Sequence, residues 1–160
     1  MKPTEESPVM SSANHNGSMK SLMTEYHKSH INRTNQIIHY ICVPIIFWSI
    51  TAALWVVKLP HVMNLAMVIS VLLMLYYIIK SVKVFATMLV FTTACLALNY
   101  WLENQGVPLL SVAIVLFVLA WIGQFIGHHI EGKRPSFFKD LQFLLIGPAW
   151  VVFKFFKLKL

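Results

Sequence analysis

Four long apolar runs, joined by connections of only four residues, constrain this chain more than any other feature. They are residues 41–57 (ICVPIIFWSITAALWVV), 62–79 (VMNLAMVISVLLMLYYII), 84–102 (VFATMLVFTTACLALNYWL) and 107–126 (VPLLSVAIVLFVLAWIGQFI). Each approaches the roughly 20 residues that cross a bilayer core as a helix. In lipid every backbone polar group must be satisfied within the segment, so helices are the expected form. The connections 58–61, 80–83 and 103–106 leave room only for tight antiparallel turns, which predicts an up-down bundle.

Composition agrees. The chain is 58% hydrophobic and 12% charged, with a mean hydropathy of +0.67, too little polar surface to clothe a soluble domain of 160 residues. The expected fold is all-α, a polytopic membrane protein with one domain over residues 21–160. Cys42 and Cys95 sit inside apolar runs with no CxxC spacing and read as small packing residues. The net charge of +7 forms no continuous basic face with interleaved aromatics, so nucleic acid is set aside in favour of anionic lipid headgroups. If both termini face the cytoplasm, Lys58 is the one basic residue left on the far side, as the positive-inside rule requires. The same orientation suits a bacterial inner membrane or the endoplasmic reticulum.

Outside the spans, residues 1–20 are rich in Ser, Asn, Pro and Glu, show no apolar period and are expected to be a disordered tail. No secretory signal precedes the first run, so the N-terminus is expected to be neither cleaved nor translocated. From Ser21, the spacing of Leu22, Tyr26, His30, Ile37, Ile38 and Ile41 predicts an N-terminal amphipathic helix at the membrane surface. Residues 141–156 are apolar but interrupted by Gly147-Pro148 and followed by lysines. A fifth crossing would carry those lysines outward, so a re-entrant or interfacial segment is expected.

The histidines carry the chemistry. His27, His30 and His39 precede or open the first run, and His128 and His129 close the fourth, so the topology brings both groups to one cytoplasmic interface. Gln124, His128 and Glu131, spaced i, i+4, i+7, share a helix face, with His129 about 100° away. His30 and His39 would lie on opposite sides of an unbroken helix. A turn over residues 32–35, with Asn35 capping a helix from Gln36, lets them converge. Imidazoles with one carboxylate and open positions suit non-haem Fe(II), and zinc is chemically close. Ionisable groups at membrane depth are costly and point to function. Against this stand plainer roles: His15 as a tail residue, His61 as a wet hairpin residue, His27 and His129 as interfacial side chains, and Glu131 as a headgroup-level partner of Lys133 or Arg134. The tryptophans read as belt and packing residues.

The pattern Tyr26-x3-His30-x-Asn32-x2-Asn35-x3-His39-x4-Pro44, with Trp121-x2-Gln124-Phe125-x-Gly127-His128, Glu131, Arg134-Pro135 and Gly147-Pro148, resembles the Mpo1-like family over about residues 22–156. The resemblance implies a polytopic membrane enzyme that uses Fe(II) and O2 to oxidise 2-hydroxy fatty acids and shorten them by one carbon, in α-oxidation. It places the family's histidines on His30, His39 and His128. The chain departs from the better-known family pattern in having Glu131 three rather than four residues after His128, and Cys42 where many members have Gly. The expected metal ligands are therefore His30, His39, His128 and Glu131, with His27 and His129 as outside candidates. Tyr26, Asn35 and Gln124 would orient imidazoles or touch substrate, and Lys133 and Arg134 would hold the acyl carboxylate. The alternatives are a membrane zinc hydrolase with the same ligands and a non-enzymatic lipid-binding scaffold. A homo-oligomer is compatible with any of these.

Overall fold

The computed structural model describes residues 23–24, 26–27, 30–61, 63–132 and 145–156. The fold is all-helical: α1 Arg33–Val56, α2 Leu65–Lys80, α3 Val82–Asn104, α4 Leu109–Ile130 and α5 Gly147–Phe155. Helices α1, α3 and α4 are 24, 23 and 22 residues long and apolar enough to cross a membrane; at 1.5 Å per residue each is more than about 30 Å long. Helix α2 is apolar but only 16 residues long. Ser81 alone joins it to α3, closing one helix and capping the next through its side chain.

The surface is inside-out relative to a soluble bundle. Val71, Ile79, Val90, Val115 and Leu119 are exposed, while Ser49, Thr51, Thr92 and Asn99 are buried. Lipid solvates the former, and two of the latter meet inside, where Asn99 Nδ2 donates to Thr51 Oγ1 at 3.5 Å.

Two N-terminal expectations are corrected. Helix α1 starts at Arg33 because Asn32, not Asn35, caps it: Asn32 Oδ1 accepts from the backbone N–H of Thr34 and Asn35. Ile37, Ile38 and Ile41 thus belong to α1 and not to a separate surface helix. Ahead of it, Met23, Thr24, Tyr26 and His27 are helical, but Met23 and Tyr26 are buried in the main core cluster with Val43 and Trp150, so this segment packs into the bundle. The fourth helix also runs past the expected end, to Ile130, and so keeps His128 in regular geometry.

Helix α5 has nine residues, about 14 Å, too short to cross. Gly147, Pro148, Ala149, Trp150, Val151 and Phe153 are all buried, so the described part of the C-terminal segment is inserted into the bundle. Tyr77 Oη donates to Leu145 O at 2.5 Å and holds its entrance. The expected disordered tail, and residues 141–144, lie outside the described residues. At the far end, Lys58 Nζ pairs with Glu103 Oε1 at 2.5 Å and Trp55 Nε1 donates to Glu103 Oε2 at 2.8 Å. The first and third connections are thereby tied together on one side, as an up-down chain requires.

The closest helix pair is α1 with α4. Small residues allow it: a Cβ on Gly123 would lie 2.6 Å from Cys42 Sγ, and one on Gly127 would strike Asn35 Oδ1. Gly123-x3-Gly127 is thus a small-xxx-small contact that lets two backbones approach in lipid. Gly123→Ala is expected to cost about 1–3 kcal/mol through overpacking, and Cys42→Ala in the same chain should recover most of it. Thermal unfolding in detergent checks this; equal midpoints for single and double variants would contradict the assigned contact.

Candidate metal centre

Three elements deliver three imidazoles. His30 sits in the link before α1, its N–H bonded to His27 O at 2.9 Å. His39 lies nearly two turns into α1, and His128 occupies the last turn of α4. Because α1 and α4 pack antiparallel, the start of one meets the end of the other. His30, His39 and His128 are 1%, 1% and 5% exposed, and each offers a ligand nitrogen within 4.8 Å of the others.

The hydrogen bonds set the tautomers of two of them. His30 Nδ1 donates to Tyr26 O at 2.7 Å and His39 Nδ1 donates to Asn35 O at 2.9 Å. A carbonyl can only accept, so both protons sit on Nδ1, and in neutral rings both Nε2 atoms carry bare lone pairs. Those two Nε2 atoms are 2.9 Å apart. Facing lone pairs repel unless a positive charge lies between them. Two imidazole nitrogens bound cis at about 2.1 Å from one metal stand about 3.0 Å apart, so the pair fits a shared divalent cation. The His128 ring, with its centroid 5.3 Å from that of His30 and 5.1 Å from that of His39, completes a three-nitrogen donor set. Backbone carbonyls on the outer nitrogens are the usual means of fixing metal-binding imidazoles.

Glu131 holds the turn between His30 and His39. Its Oε1 accepts from Ile31 N at 2.9 Å and its Oε2 from Asn32 N at 2.9 Å and Asn35 Nδ2 at 3.0 Å. Both oxygens are engaged by donors of the His30–His39 turn, and the carboxylate stands outside the ligand cluster. It is a clamp joining the end of α4 to the start of α1. Burial raises its pKa, but the hydrogen bonds from Asn35, Ile31 and Asn32 and the nearby His30 more than offset this and hold it below the usual range. A depressed carboxyl stabilises the fold only when ionised, so the clamp's contribution is lost as pH falls through that lowered value.

Asn35 serves both sides, its backbone oxygen holding His39 and its side chain holding Glu131. Tyr26 stacks on His30 with centroids 4.1 Å apart and an interplanar angle of 16°. Gln124 is buried one turn before His128 on the same face of α4. His129 is exposed, and the exposed hairpin residue His61 has a positive φ of 62°. His27 lies beside Trp150, centroids 6.0 Å apart, outside the triad; burial and then the charge of Lys154 lower its pKa. Lys133, Arg134 and His15 are outside the described residues. Two contributors were not read from the sequence as site residues. Trp150 roofs the cluster, 5.7 Å from His30 and 5.0 Å from Tyr26 by ring centroids, and its signal was its place two residues after Gly147-Pro148. Gln36 ties the turn, its Nε2 donating to His30 O at 2.8 Å and Ile31 O at 3.2 Å.

Comparison with known proteins identifies the family. The sequence profile of a family described as 2-hydroxy-palmitic acid dioxygenase Mpo1-like matches residues 17–158. The 2-hydroxy-palmitic acid dioxygenase MPO1 of Saccharomyces cerevisiae is 34% identical over 144 residues, covering 88% of this chain and 81% of the yeast protein. No solved structure matches.

Glu131→Ala would leave the Ile31, Asn32 and Asn35 donors without their acceptor. Amide hydrogen exchange at Ile31 and Asn32 is expected to accelerate, with stability falling by about 1–3 kcal/mol. Unchanged exchange at both amides would show that the clamp is dispensable.

Proposed function

The chain belongs to the Mpo1-like family, and from that premise we propose that it is an Fe(II)-dependent dioxygenase of 2-hydroxy fatty acids, removing one carbon from the carboxyl end. The observation that carries this reading is the buried pair of Nδ1-protonated imidazoles whose Nε2 atoms face each other at 2.9 Å beside a third. Three imidazole nitrogen donors would leave coordination positions for other ligands, as oxygen-activating iron sites require.

His30, His39 and His128 would hold the iron, which when bound supplies the means to bring a 2-hydroxy acid and O2 into reaction. The balance R–CH(OH)–COOH + O2 → R–COOH + CO2 + H2O closes without another reductant, because the substrate supplies every electron that O2 takes up. The chain's own residues do the rest. Tyr26 and Asn35 carbonyls keep the His30 and His39 protons on Nδ1, so that neither ring donates a proton into the reacting space. Trp150 and Tyr26 cover the cluster and exclude water, which favours ordered reaction over side chemistry. Glu131 keeps the two histidine-bearing segments in register.

We place both termini in the cytoplasm, with the site at that interface. The Lys58–Glu103 pair at the opposite end of the bundle and the basic-residue distribution support this orientation.

Protein purified without oxygen and supplied with Fe(II) is expected to take up O2 only when a 2-hydroxy fatty acid is present. Loss of an outer partner of a metal site costs about 10–100-fold, so His30→Ala, His39→Ala and His128→Ala should each cost more than that, with helicity retained. An oxygen electrode with product analysis reads the result. Full turnover in all three variants would overturn the proposal, and bound zinc without oxygen uptake would point to hydrolysis.

A further inference from the structure

A cavity of about 120 Å³ opens between α1 and α2, walled by Phe47, Ile50 and Leu54 of α1, Ala66 and Leu73 of α2, and Leu145 ahead of α5. Among the described residues, Thr51 and Ser70 are its only polar lining, and Thr51 Oγ1 is already turned to Trp48 O. We infer that this cavity receives the far end of the substrate's alkyl chain and that Ala66 and Leu54, at the end farther from His39, set the chain length the enzyme accepts. The inference rests on the substrate reading above and adds the place where the chain is measured.

Three observations carry it. First, α1 bears both the metal-site histidine and the cavity wall: Val43, Ile50 and Leu54 lie within about 60° of His39 around the helix axis. Second, the wall begins at Phe47, eight residues after His39, and ends at Leu54, fifteen after it; at 1.5 Å per residue that is about 12 and 22 Å from the histidine. An acyl chain of bilayer lipid fills half of a core about 30 Å thick, so a long-chain acid held at the imidazoles ends within this window. Third, Leu145 lies on the segment that delivers Trp150 to the site, so site and cavity share one structural edge. Antiparallel pairing fixes the cavity's direction: Lys58 bridges to Asn64, which sets Ala66 against Leu54 at the far end and Leu73 near Phe47.

A larger apolar groove between α2 and α3 does not compete for this role. Val71, Leu75, Ile78 and Leu89 line it and are broadly exposed, and it has no wall from α1, α4, α5 or the segment carrying His30. It is a surface for bilayer lipid.

Photolabelling of the full chain in lipid nanodiscs, with a long-chain 2-hydroxy acid bearing a diazirine at its terminal carbon, tests the location without relying on turnover. Label on Leu54 or Ala66, competed by unlabelled 2-hydroxy acid, is the expected result. Label on Val71, Leu75 or Leu89, or label that the acid does not compete, would overturn the inference. Chain-length preference provides a second reading. Ala66→Phe should shift the ratio of long-chain to shorter-chain turnover by about tenfold toward shorter acids, and Leu54→Ala should shift it toward longer ones, because each methylene excluded from an apolar site costs on the order of fourfold in binding. An unchanged ratio in both, with wild-type oxidation intact, would sink the inference and leave the proposed function standing. Competed label in the cavity without any oxidation would do the reverse.

Discussion

Two imidazole lone pairs cannot rest 2.9 Å apart in a buried space without a positive charge to reconcile them, and the upper half of this bundle is organised around that contact. The arrangement follows from where the protons go. Each ring gives its Nδ1 hydrogen to a carbonyl four residues earlier in the chain, Tyr26 for His30 and Asn35 for His39. Local helical or turn geometry thus aims both Nε2 atoms inward. The backbone thereby orients a nitrogen donor set whose spacing fits the cation proposed above.

What brings the third imidazole to the other two acts at a distance in sequence. Glu131 reaches residues about a hundred positions earlier, and its three hydrogen bonds lock the end of α4 onto the turn before α1. Lower on the same helix pair, Gly123 and Gly127 remove the side chains that would separate the backbones from Cys42 and Asn35. With no hydrophobic force between helices in lipid, close packing and hydrogen bonds must do this work. The inserted helix α5 then brings Trp150 over the site.

Much of this was legible in the sequence, for physical reasons. The bilayer imposes a length on apolar runs, and short connections impose antiparallel order, so the all-helical bundle and the meeting of His30 and His39 with His128 could be read from spacing. The helix starts were harder. Asn32 and Asn35 are both competent caps, and only the fold decides that Asn32 takes the role while Asn35 turns inward. The task of Glu131 was hidden for a similar reason: a carboxylate one turn past a histidine can serve as ligand or as clamp, and the difference lies in which backbone N–H groups arrive from elsewhere. Gly123-x3-Gly127 carried a readable signal for close helix approach, overshadowed by the histidine that follows it. Trp150 looked like one more interfacial tryptophan because hydropathy does not reveal where an inserted helix points.

The most direct test of the central claim is the metal content of protein purified without oxygen, measured for the wild type and for His30→Ala and His128→Ala. The account predicts stoichiometric iron in the wild type and its loss in both variants, since the two histidines come from opposite ends of the chain and meet at one ion. Iron retained when either histidine is removed, or no bound metal in the intact protein, would contradict it.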